Sequence, residues 1–176
     1  VLELASLSES NVYLELKNIG EVEGFVDKVV AIVSAYGMQS RCLFASFYYP
    51  YLEQCKNLDR TLTTLYITTS AVRELPQQYP AEYYGLYIEN VTTDTIASIH
   101  DAGSKAFVWT ADTPEEMCLA RNMGIDGVVT NEVGVANVVL RPEYQELADR
   151  YEASVTMPFQ CGHEADEIDK TMVPQG

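Results

Sequence analysis

Apolar and polar side chains alternate along residues 11–17. Val12, Leu14 and Leu16 are apolar, while Tyr13, Glu15 and Lys17 carry polar tips. Successive side chains of a strand point to opposite faces, so this pattern predicts a strand with one apolar face and with Glu15 and Lys17 side by side on the other. From Glu21 to Tyr36 the period changes. Val22, Phe25, Val26, Val29, Val30 and Val33 recur with the spacing of an amphipathic helix, and Gly37 is placed to end it. The two periods then take turns. Strands are predicted over 42–47, before Pro50, and over 63–68, 84–88, 106–110 and 127–130; helices are predicted over 51–57, 92–102, 113–123 and near 135–140. The clearest helix start is Thr113-Pro114-Glu115-Glu116. Thr113 suits the N-cap, Pro114 the first helical position, and Glu116 can close a capping box.

The strand starts, near residues 12, 42, 63, 84, 106 and 127, lie mostly about one βα unit apart. Parallel neighbours need a crossover, so strands alternating with helices predict a parallel β/α sheet. Strands that are apolar throughout fit burial on both faces. The first strand then has two readings. It is an edge strand with a solvated polar face, or a strand of a closed barrel whose apolar face packs on outer helices. In the second case the Glu15–Lys17 pair points inward at the C-terminal mouth, where such folds keep their chemistry. Beyond Arg141 the character changes: Pro142 to Tyr151 can form a polar helix, and 152–176 shows no steady apolar period. The expected division is a β/α domain over 1–140 and a polar, partly disordered extension over 141–176.

Length and charge narrow the picture. A chain of 176 residues forms one domain with a sizeable core. With 26 acids against 11 bases and a net charge of −15, it does not suit a phosphate-backbone partner or an anionic membrane surface. The acidic excess reads as a solvated exterior. Cys42, Cys55, Cys118 and Cys161 lie far apart with no C-x-x-C pair, so neither a zinc site nor a disulfide framework is read from them. Cys42 and Cys118 sit in apolar-periodic segments and are expected to be small core residues, which fits a reducing, cytoplasmic setting. No apolar run approaches the roughly 18 residues of a membrane span. The chain starts at Val1, without an initiator Met, in what looks like a helix, so it is expected to be a fragment.

The strand end Glu15-Leu16-Lys17 is similar to the E-L-K motif of the glycerophosphodiester phosphodiesterases. The resemblance continues through Ser46-Phe47 and through Trp109-Thr110-Ala111-Asp112. It closes with Gly124-Ile125-Asp126-Gly127-Val128-Val129-Thr130-Asn131, similar to the family's G-V-D-G-I-I-T-D. Order and spacing match the C-terminal two-thirds of the family's eight-stranded barrel, over about residues 1–140. The resemblance implies an α/β fold of the parallel (β/α) TIM-barrel type, truncated at the N-terminus to about six βα units. It implies a full-length parent, placed in lipid and glycerol metabolism, that hydrolyses glycerophosphodiesters to glycerol 3-phosphate and an alcohol. It also implies that Glu15 is a ligand of a divalent cation, magnesium or calcium, both of which take carboxylate oxygen. Lys17 would contact a phosphate oxygen as a point charge, and Trp109 would line the mouth against the glycerol portion. Plainer readings stand beside these: Glu15 and Lys17 as an internal ion pair, and Trp109 as a lid aromatic.

The departures are equally informative. The family's His-Arg strand, its Glu-x-Asp metal pair and its second His have no counterpart. His100, on a predicted helix, and His163, in the tail, match neither catalytic position and read as surface residues. Asn131 stands where the family often has Asp, and Val133 where it often has Pro. The first two βα units, and the general acid/base with them, are thus missing, and the chain alone is expected to be inactive. Its expected partner is a small-molecule phosphodiester and no nucleic acid; membrane association of the parent has no signal either way. Open sheet edges at Val12 and Val128 are expected to let the fragment self-associate. Two other functions fit the same residues: a non-catalytic β/α binding or interaction module derived from the barrel, and another phospholipase-like phosphodiesterase.

Overall fold

The alternation of periods becomes an alternation of elements in the computed structural model, which describes residues 1–17, 20 and 22–140. The expectations for 141–176 and for His163 lie outside the described residues. A short helix, α1 (Leu2–Ser6), precedes β1 (Val12–Glu15), and α2 (Phe25–Ala35), β2 (Cys42–Ser46), α3 (Tyr49–Leu58) and β3 (Thr63–Thr68) follow. Then come α4 (Leu75–Gln78), β4 (Tyr83–Tyr87), α5 (Thr93–Asp101), β5 (Lys105–Trp109), α6 (Pro114–Asn122), β6 (Gly127–Val129) and α7 (Val133–Leu140). The strands form one parallel sheet in the order β1-β2-β3-β4-β5-β6, each paired with its neighbours in sequence.

The sheet is curled into an open half of a barrel. Phe47, just after β2, and Trp109, at the end of β5, have ring centroids 5.4 Å apart. Strand spacing would separate β2 from β5 by about 14 Å in a flat sheet, so the inner face is concave. That face carries Ala45, Leu65 and Ile67, joined by Leu43, Tyr83, Phe107 and Trp109. The outer face packs on helices in two clusters. Leu16, Cys42 and Phe44 meet Val26, Val30 and Val33 of α2 and Tyr51 and Cys55 of α3. Farther along, Tyr84, Leu86, Ala106 and Val108 meet Ile96 and Ile99 of α5 and Ala120 of α6. Ahead of β1, the Arg41 guanidinium donates to the carbonyls of Ala5, Ser8 and Ser10, each at 2.5 Å, which fixes where the strand begins.

Several details differ from the pattern. Helix α3 starts at Tyr49, with Pro50 in its first turn rather than breaking the chain before it. A first-turn residue needs no N–H inside the helix, so proline is tolerated there. Helix α2 starts only at Phe25, after a turn over residues 23–24. Helix α4 was not expected, because four residues carry no readable period. Gly37 does end α2, in the left-handed region at φ 64, with Met38 N–H reaching back to Val33 carbonyl at 3.1 Å. Cys42 and Cys55 are buried free thiols. Cys118 is buried as expected, only 4% exposed. Among the described residues no helix is long and apolar enough to cross a membrane.

Candidate active site

The site builds on how β1 ends. Leu16, one residue past the strand, still donates its N–H to Ala45 carbonyl at 2.7 Å. Its own carbonyl accepts from the Ser46 hydroxyl at 2.6 Å, and that hydroxyl accepts from Tyr48 N–H at 3.0 Å. Ser46 is fully buried, so its hydroxyl satisfies a carbonyl that would cost about 1–3 kcal/mol unpaired. Leu16 is 2% exposed and sits in the outer core. Strand alternation therefore turns Glu15 to the opposite, inner face at the mouth, and Lys17 follows two residues past the strand end; both are exposed. They are not ion-paired with each other, so the reading as an internal pair is set aside. Glu15 makes itself felt at Tyr13: burial, and then the Glu15 charge, push the Tyr13 hydroxyl up to about 12.

Trp109 closes β5 on the same inner face, partly buried, and its peptide bond to Thr110 is cis. Its indole N–H donates to Gly85 carbonyl at 3.0 Å. Phe47 meets the ring edge-on at 82°, and Tyr87 lies beside it at 4.9 Å and 42°.

Asp112, just beyond, stitches two loops at the mouth. Its Oδ1 accepts from Asn131 N–H at 2.7 Å and from the Thr130 hydroxyl at 3.0 Å, and its Oδ2 accepts from the Asn131 side-chain amide at 2.8 Å. The departure at Asn131 thus has a physical sense. The amide supplies a donor where an aspartate would face Asp112 with a second carboxylate. Asn131's side-chain and backbone donors, opposed by burial and helped by Thr130, hold the Asp112 carboxyl below its ordinary value of 3.8. A lowered folded value means that the clamp contributes stability above pH 3.8 and loses it as pH falls through the lower, folded value. Thermal melts across this acid range should therefore show a destabilisation that Asp112→Asn removes. An identical acid slope in the variant would contradict the clamp.

The capping box expected at Thr113 is formed: the Thr113 hydroxyl accepts from Glu116 N–H at 3.2 Å, and the Glu116 carboxylate accepts from Thr113 N–H at 3.0 Å. His100 lies away from the mouth, 2.9 Å from Asp126, whose carboxylate also accepts from Ala106 N–H at the start of β5. It ties α5 to the opposite end of the sheet. Sequence reasoning gave no role to Ser46, Gly85, Tyr87 or Asp112. The signal available was Gly85, a glycine inside a strand, which marks close approach by another group.

Glu15 fits a hard cation as one oxygen ligand, since its carboxylate is exposed and accepts no hydrogen bond among the described residues. It does not make a site by itself. Among the described residues no group of three or more His, Cys, Asp or Glu could hold an ion, and magnesium or calcium takes about six or more oxygen ligands.

Comparison with known proteins sets this geometry in a family. A protein of Silicibacter pomeroyi DSS-3 assigned to the glycerophosphoryl diester phosphodiesterases superposes with TM-score 0.69 at 24% identity, over 80% of this chain and 55% of that one. One of Agrobacterium tumefaciens str. C58, assigned likewise, gives 0.65 at 25%, over 82% and 64%. A phosphodiesterase of Oleispira antarctica, solved with the product sn-glycerol-3-phosphate, gives 0.66 at 19%, over 84% and 59%. The chain thus spans between half and two-thirds of the length of these relatives. Comparison with curated proteins gave no match. The family model for glycerophosphoryl diester phosphodiesterases matches residues 6–135, from before β1 into α7, and the chain belongs to that family.

Proposed function

We propose that the chain contributes six βα units to a metal-dependent phosphodiesterase that hydrolyses glycerophosphodiesters to glycerol 3-phosphate and an alcohol. The observation that carries this is the pair of exposed, unlike charges on the inner face at the mouth end of β1, in a chain matching the family over residues 6–135. A phosphodiester is anionic and resists attack until its oxygens are neutralised. Glu15 is one oxygen ligand of a magnesium or calcium ion, which when bound would withdraw charge from a phosphoryl oxygen. Lys17 contacts another phosphate oxygen as a mobile point charge. Trp109 packs against the glycerol carbons, whose hydroxyls face water. The product bound in the Oleispira antarctica phosphodiesterase supports glycerol 3-phosphate as the product here.

Proton transfer falls to groups outside this sequence, since His100 is engaged with Asp126 away from the mouth and His163 has no motif match. General acid–base help is worth about 10²–10⁴-fold in rate. The purified 176-residue chain should therefore release no choline from glycerophosphocholine above background with magnesium or calcium. Turnover by the chain alone that is lost in Glu15→Gln would overturn this division of labour. β1 and β6 are each paired on one side only among the described residues, and the self-association expected of the isolated chain rests on those two edges.

A further inference from the structure

We propose that Gly85, Phe47 and Tyr87 are positioning residues that fix the plane and height of the Trp109 indole, so that it offers a ligand its ring carbons and not its N–H. The inference rests on the reading that Trp109 faces the substrate. Three restraints of different kinds meet on one ring. The first is polar: the indole N–H is donated across the sheet to Gly85 carbonyl at 3.0 Å. The second is the space under the ring. A Cβ on Gly85 would stand 3.0 Å from Leu65 Cδ2, 3.5 Å from Trp109 Cδ1 and 3.7 Å from Ile67 Cγ1. A methyl at residue 85 would crowd Leu65 and only touch the indole, so it is a longer side chain there that would lift the ring from the floor of the half-barrel. The third is aromatic: Phe47 abuts the ring edge-on at 5.4 Å, and Tyr87, paired with Trp109 in the β4–β5 register, tilts against it at 4.9 Å.

A lid aromatic needs only burial. Here the one polar atom of the ring is satisfied inside the sheet, so Trp109 is not a phosphate donor. What it can hold is the C–H surface of a small polyol or alkyl group beside the phosphate, with Lys17 left to the anionic oxygens. Phe47 is half exposed, so its ring borders solvent and can be replaced without opening the core.

Trp109 is the chain's single tryptophan, and its fluorescence therefore reports this ring alone. An edge-to-face contact biases a ring's orientation about 2- to 10-fold. Phe47→Leu keeps an apolar side chain and removes the ring. It should add fast local depolarisation to the Trp109 anisotropy decay and raise acrylamide quenching about 2-fold or more, while Phe47→Tyr restores both. Tyr87→Leu should act in the same direction, and a melting curve on each variant separates ring motion from unfolding. Unchanged anisotropy and quenching in both folded leucine variants would overturn the proposal. Because these measurements use no ligand, the underlying reading fails separately. If sn-glycerol 3-phosphate moves the emission of the full-length protein no differently from that of its Trp109→Phe variant, Trp109 does not face the substrate, even with its ring shown to be fixed.

Discussion

In the full-length protein, Lys17→Met should lower turnover of glycerophosphocholine by about 10²–10³-fold, the size of effect seen when one preorganised charge or donor is removed from a developing oxyanion. Glu15→Gln should lower it further, because a cation held there would lose a charged ligand as well as a position. The two failures have different signatures. Excess magnesium or calcium should partly restore Glu15→Gln, whose defect would lie in metal affinity, and leave Lys17→Met unchanged. Neither substitution should unfold the protein. Both side chains are exposed, and among the described residues neither supports another by an ion pair, so each melt should move by no more than surface changes do. Steady-state kinetics across a metal titration, with a melt on each variant, checks this. Lys17→Met with full turnover would remove the lysine from the site.

Phe44→Ala is the substitution with the largest expected effect on the fold. Phe44 is fully buried at the centre of β2, opposite Leu14 of β1, and packs in the cluster with Leu16, Val26 and Val30. Truncating a buried phenylalanine costs about 3–5 kcal/mol, from lost transfer energy and the cavity left behind. That is a large part of the 5–15 kcal/mol, roughly, that holds a domain together. The loss falls where the site is built, since β1 presents Glu15 only while β2 and α2 hold its other face. Urea unfolding should show the midpoint falling at nearly constant slope. A loss below about 1 kcal/mol would mean that α2 does not cover β1 and β2 as described.

What the sequence made legible follows from the range of each interaction. Alternation along residues 12–17 is local, and it placed Leu16 in the core and Glu15 on the opposite, exposed side of the strand. The capping box spans four residues and was equally visible. Strand–helix alternation named the parallel sheet, since adjacent parallel strands need a crossover. Features made by distant parts of the chain were not legible. The Ser46 hydroxyl serves a carbonyl just past the end of β1, and Asp112 binds a loop beyond the next helix. The Phe47–Trp109 contact exists only because the sheet curls. Pro50 misled for a different reason: proline stops a helix interior but suits its first turn, and composition alone does not say which position it holds. Family resemblance carried the roles of Glu15, Lys17 and Trp109, which no periodicity contains.

The inner face at the end of β1 is proposed to bind both the cation and the phosphate. A crystal structure of the full-length protein grown with calcium and sn-glycerol 3-phosphate tests it most directly. The expected structure has a Glu15 carboxylate oxygen about 2.3–2.6 Å from the cation and Lys17 Nζ within hydrogen-bond reach of a phosphate oxygen. A cation and phosphate held by other residues, with Glu15 and Lys17 both turned to solvent, would contradict it.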